Sequence, residues 1–267
     1  MSKPIQINIQ ISDVTNTFLL QIKDTTESVS RIFQSIENLS NEQLLHKPLP
    51  SDSFPVLIVD NMPKSTPKEM KEQVLNWAIR KGFEDFIIGL TKSFKETYKL
   101  LALREFALNQ PDTLSYEEFE ETVSKIEKEI EKFNVPIFIS KIEKFLGKEV
   151  PLKKEICSIN RVRNCLVHRH GVVSDRDISE NENALNLYWL NIEYWTYDGD
   201  KKIPITFEVR KKGMTINNLS HKIVECSKSF SKNEEVTIDV NQFNGIATTC
   251  AEYANRIFEL LPKENVD

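Results

Sequence analysis

Residues 151–174, PLKKEICSINRVRNCLVHRHGVVS, hold most of the chain's candidate chemistry. Arg163, Asn164 and His168 lie within six positions of one another, flanked by Arg161, Arg169 and His170. An arginine fork grips a phosphate at two oxygens and neutralises charge that builds on phosphorus oxygens. Histidine is the side-chain type suited to moving a proton near neutral pH, here from a ribose 2′-OH. Asn164 would orient one or the other. Such a set supports internal transesterification of RNA to a 2′,3′-cyclic phosphate, with no metal or other cofactor. One histidine supplies half of the acid–base work, and a two-fold dimer opposing two such helices would supply the rest.

Charge and helical phase single out the same stretch. Between Lys153 and Arg176 six Lys/Arg stand against Glu155 and Asp175, so the segment carries +4. On a helix with Arg163 at zero, Ile156, Ile159, Val162, Leu166 and Val167 fall within about 140° of arc, a buried stripe. Arg163 falls inside that arc, while Asn164 and His168 are neighbours beside it. Arg161 projects with His168, and His170 returns toward Arg163. A buried arginine needs partners. A structural salt bridge with a distant carboxylate is the plainest source, and Glu84-Asp85 is one candidate.

Arg163-Asn164-Cys165-Leu166-Val167-His168 resembles the R-x4–6-H motif of the HEPN superfamily, in which a polar residue follows the arginine directly. Arg161 to His168 and Arg163 to His170 also fit the spacing. Asn164 favours the Arg163–His168 register, because Arg161 is followed by Val162. Arg169-His170-Gly171-Val172-Val173-Ser174 is similar to the loop after the motif in many bacterial members. The resemblance implies a helical bundle, commonly a homodimer, and metal-independent RNase activity in toxin–antitoxin or phage-defence systems. It implies catalytic roles for Arg163 and His168 and a supporting one for Asn164. Arg161, Arg169 and His170 are expected to bind substrate. A catalytically silent HEPN-like module that binds RNA or nucleotide, or acts as an adaptor, is the alternative. The expected partners are RNA, a second copy of the chain and an antitoxin or other defence protein. A purely structural helical protein is the third reading.

The elements around this segment read as mainly helical. The chain has 267 residues, 35 Lys+Arg, 40 Asp+Glu and only 7 Gly, with a net charge of −5. That balance excludes bulk-charge coating of nucleic acid but not one local basic site. Ile5, Ile7, Ile9 and Ile11 alternate with polar residues, a short strand. Asp13 offers an N-cap for a helix to about Leu45. Five prolines mark 46–67 as a loop, with Val56–Val59 as a possible strand. Thr66-Pro67 with Glu69 opens a helix to about Leu108 that Gly82 threatens to interrupt. Further helices are expected over 115–133, 137–146, from Pro151 to Gly171, and over 219–229. The last runs from Val240 to Leu261.

Leu187–Thr196 and Ile203–Arg210 form a β-hairpin around Asp198-Gly199, with Pro204 marking an edge or a strand start. Residues 236–239 read as a strand. Tyr188, Trp189, Tyr194, Trp195 and Tyr197 read as packing or dimer contacts, with base stacking as a second use. The organisation is an N-terminal strand and helix extension, residues 1–65, packed on a HEPN-like domain, 66–267, with the hairpin at 187–210. The four cysteines show no CxxC, and the four histidines complete no metal set. Cys157, Cys226 and Cys250 read as buried thiols. No leader pattern and no membrane-length apolar run is present, so a cytoplasmic protein is expected.

Overall fold

The computed structural model describes residues 11–45, 66–109, 115–178, 182–198, 201–205 and 219–262. The expected strand at 5–11 lies outside them except for Ile11, which is helical, and Val56–Val59 lies outside them altogether. The fold is mainly helical, with one small antiparallel sheet.

α1, Ile11–Asn38, is shorter than the helix expected to reach Leu45. Ser40 and Gln43 form a capping box, Gln43 N–H to Ser40 Oγ at 3.2 Å and Ser40 N–H to Gln43 Oε1 at 2.8 Å. That cap starts a separate short helix, α2, Asn41–Leu45. Asp13 lies inside α1 and is not its cap. Val14, Phe18, Ile22 and Val29 of α1 join the main core, so the N-terminal helix packs into the bundle.

α3, Pro67–Leu108, starts at a capping box of Thr66 and Glu69. Gly82 does not interrupt it. A Cβ there would sit 2.4 Å from the Phe243 ring, so the glycine lets the C-terminal helix approach. α4, Tyr116–Ile130, begins at a Ser115–Glu118 capping box and buries Ile126 and Ile130. α5, Val135–Leu146, is capped by Asn134 and ends at Gly147, φ +64. α6, Lys153–His168, carries the motif, and α7, Val240–Leu260, starts at Asp239. α3, α5, α6 and α7 share one core that includes Phe94, Phe138, Ile159 and Phe243.

The sheet has the order β2-β1-β3, with β1 at Leu185–Asp198, β2 at Lys201–Pro204 and β3 at Ser220–Phe230. The Asp198–Lys201 pairing makes the hairpin, and Pro204 ends an edge strand, where its missing N–H costs no ladder bond. The expected stretch 206–210 of that strand lies outside the described residues.

Residues 219–229, expected as a helix, are strand instead: β3 covers Ser220–Phe230. β1 offers a second free edge, and β3 fills it in register from Trp195↔Ser220 to Leu185↔Phe230. Val224, Cys226 and Phe230 turn inward by alternation. Residues 236–239 are not a strand either. Glu235 forms a single bridge to Val172, and Val236 N–H donates to the Gly171 carbonyl at 2.8 Å.

A buried hydrogen bond ties β1 to α7. Leu190 N–H donates to Thr249 Oγ1 at 2.7 Å, and that hydroxyl donates to the Gly245 carbonyl at 2.8 Å. Thr249→Val keeps the volume and removes the acceptor, leaving a buried N–H unpaired. A loss of about 1–3 kcal/mol is expected, read as a lower urea midpoint at unchanged m-value.

Candidate catalytic site

α6 buries Ile156, Ser158, Ile159, Val162, Cys165 and Leu166. The sequence stripe is thus confirmed at four positions, but Val167 is only half-buried and Cys165 takes its place. Arg163 is half-buried at the margin of this face.

Arg163 Nη1 donates to Asn164 Oδ1 at 3.1 Å and lies 3.3 Å from His168 Nε2. A guanidinium has donors only, so a hydrogen bond in this contact requires Nε2 to accept. The three residues singled out by spacing therefore meet around one guanidinium. His168 is exposed, and Arg163 Nε is buried with no hydrogen-bond partner among the described residues.

The neighbouring cations are committed elsewhere. Arg161 Nη1 pairs with Glu182 at 3.0 Å. Arg169 Nε donates to Asp177 Oδ2 at 2.7 Å, and its Nη2 donates to Asp177 Oδ1. Lys153 pairs with Glu143 at 2.9 Å. Lys154 Nζ sits 3.7 Å above the Tyr188 ring. The +4 read along the sequence is thus largely matched by carboxylates that the fold brings in. Arg163 is different, because among the described residues no carboxylate forms an ion pair with it.

The structure brings together Arg163, Asn164 and His168 and turns Arg161 and Arg169 toward acidic partners. His170 has an exposed side chain and a left-handed backbone, φ 53, and its carbonyl accepts from Arg80 Nη2 at 3.1 Å. Glu84 and Asp85 both pair with Lys81, at 3.1 and 3.2 Å, and do not reach Arg163. Trp189 is buried against Gly245, and Tyr188 packs beside Ser158 and Lys154 near the other end of α6.

Neither a protein-family model, nor a curated protein, nor a solved structure matches the chain.

The stop after His168 uses the expected Arg169 and Gly171 together with Arg80, Glu235 and Asp177, which the motif did not reveal. Arg169 and Gly171 N–H both donate to the Cys165 carbonyl, at 3.1 and 3.0 Å. Gly171 takes φ +81, a conformation that glycine adopts without steric cost. Arg80 from α3 also pairs with Glu235 at 3.3 Å, joining the loop to the bridge at Val172. Asp177 has a fully buried side chain. Its Oδ2 also accepts from Ser174 N–H at 2.9 Å and Ser174 Oγ at 2.8 Å. The Ser174–Asp177 spacing is a local side-chain-to-backbone turn signal that the sequence does carry.

Burial pushes the Cys165 thiol up to about 11, with Asp177 adding to the rise and Arg169 opposing it. The Cys157 thiol is also raised, chiefly by burial. Neither is an activated nucleophile, because the thiolate is the reactive form. Among the described residues no group of three His, Cys, Asp or Glu is placed to hold a metal, and no helix is long and apolar enough to cross a membrane.

Proposed function

We propose that the chain is a HEPN-type endoribonuclease that cleaves RNA by 2′-OH transesterification without a metal, with Arg163, Asn164 and His168 as its working residues. One observation carries this reading. Arg163 is the arginine of its helix with no carboxylate partner among the described residues, and its Nη1 is held by Asn164 at 3.1 Å and His168 at 3.3 Å. A structural arginine would be expected to resemble Arg161 or Arg169.

The 2′-O–H proton passes to His168 Nε2 as the O2′–P bond forms, and the P–O5′ bond breaks as the 5′-oxygen leaves with a proton. Arg163 leaves the imidazole for the non-bridging phosphate oxygens, where it opposes the growing charge. Asn164 keeps the guanidinium oriented. The leaving-group proton comes from water or from His168 of a second copy across a two-fold axis. His168 is exposed on the last turn of its helix, which leaves it open to such a partner. The HEPN bundle, the homodimer and a place in toxin–antitoxin or phage-defence systems come from the motif resemblance.

Purified protein with single-stranded RNA in excess EDTA tests the reading. Cleavage to fragments ending in 2′,3′-cyclic phosphate is expected. Intact RNA at high enzyme concentration, with a folded protein, overturns it. The same Arg163–His168 contact favours a second reading, because it occupies the lone pair a base would use. In that case the protein binds RNA or nucleotide without turnover, and filter binding without cleavage reports it.

A further inference from the structure

We infer that Asp177 is a positioning residue for His168, acting through Arg169; the inference rests on the catalytic reading of Arg163 and His168. The His168 ring is exposed, and among the described residues it has a hydrogen-bond-range contact with Arg163. A ring with so little packing is aimed mainly by the backbone it leaves. That backbone ends its helix at His168 and continues through His170 and Gly171, both at positive φ, 53 and 81.

Two left-handed residues in succession need a frame that holds them, since the non-glycine one is disfavoured on its own. Asp177 supplies the buried part of that frame. Its carboxylate accepts from both Arg169 donors and from both the N–H and the hydroxyl of Ser174. These bonds close residues 169–177 into one loop, with Arg169 directly following the imidazole. Arg80 and the Glu235 bridge hold the other side of the loop.

The identity of the pair points the same way. An ion pair whose carboxylate is fully buried, as Asp177 is against the half-buried Arg169, is often no more stabilising than apolar residues of equal size, and its best-attested use is to fix one geometry. Here the geometry it fixes begins at the residue after His168. Cys165, whose carbonyl accepts from the N–H of both Arg169 and Gly171, lies in the same turn as His168, so movement of Arg169 is passed to that turn.

Asp177→Asn is the test, because the amide keeps the shape and weakens the fork to Arg169. Steady-state RNA cleavage and the ¹⁵N signals of the His168 ring are measured together at one pH. A fall in kcat of about 10- to 100-fold, with KM within twofold of wild type and altered His168 ring signals, is the expected result. Unchanged ring signals, with activity per folded molecule equal to wild type, overturn the proposal and leave Asp177 a purely structural group. If wild type does not cleave RNA, the catalytic reading fails, and the ring signals alone decide the positioning claim. If Asp177→Asn does not fold, Ser174→Ala replaces it. That variant removes one hydrogen bond to the carboxylate, and the same two readouts then apply with a smaller shift expected.

Discussion

His168→Ala is expected to lower RNA cleavage by about 10²- to 10⁴-fold, with RNA binding within a few-fold of wild type. In the proposed mechanism the loss falls on kcat, because the imidazole would act on the proton that moves in the transition state and not on the bound ground state. Arg163→Gln is expected to cost about 10²- to 10³-fold, the range seen when one charge-stabilising donor is removed. Arg163→Lys recovers little of it, since a single ammonium reproduces neither the fork to phosphate nor the shared contact with Asn164 and His168. The double variant sharpens the test. Arg163 and His168 touch at 3.3 Å, so their losses should be strongly sub-additive, with the pair barely worse than His168→Ala. Additive losses would mean that the two residues act at separate places. Cleavage unchanged in His168→Ala would remove the proposed base.

What the sequence made legible follows from distance along the chain. Arg163, Asn164 and His168 lie on one helix, so their spacing alone carries most of their geometry. The helix start at Thr66 is equally local: it is a capping residue whose Glu69 partner lies three positions on. Gly82 shows the opposite case. A glycine in a helical pattern reads as a break, and only the position of Phe243, 161 residues away in sequence, shows that its absent side chain makes room for packing.

β3 is hidden in the sequence for a similar reason. His221, Lys222, Ser227, Lys228 and Ser229 blur its alternation, and what makes it a strand is the free edge of β1. Its local pattern gave no account of that edge. The charge count around the motif was correct as arithmetic and misleading as electrostatics. Glu182, Asp177 and Glu143 sit at 8 to 21 positions from the cations they meet, on other elements or loops. Only after those pairs are drawn does Arg163 stand apart from Arg161 and Arg169. That contrast, more than the motif, is what the fold contributes to the functional reading.

The largest stability effect is expected at Phe94, where three helices meet. Phe94 of α3 stacks on Phe138 of α5 at a centroid distance of 5.9 Å and tilts against Tyr253 of α7 at 5.4 Å. All three side chains are fully buried. Phe94→Ala opens a cavity that rings fixed from both sides cannot readily fill, and a cost of about 3–5 kcal/mol is expected. In a chain of this size that lowers the Tm by about 10 °C. Tyr253→Phe provides the contrast at the same junction. Its hydroxyl is buried, burial holds it well above its ordinary pKa, and it has no hydrogen-bond partner among the described residues. Deleting an unpaired buried hydroxyl removes a desolvation cost and leaves the ring contacts in place, so this variant is expected to gain about 1 kcal/mol. Thermal melts of the two variants beside wild type should move in opposite directions. If both move down by similar amounts, the Tyr253 hydroxyl has a partner that sustains it, and the junction depends on more than ring packing.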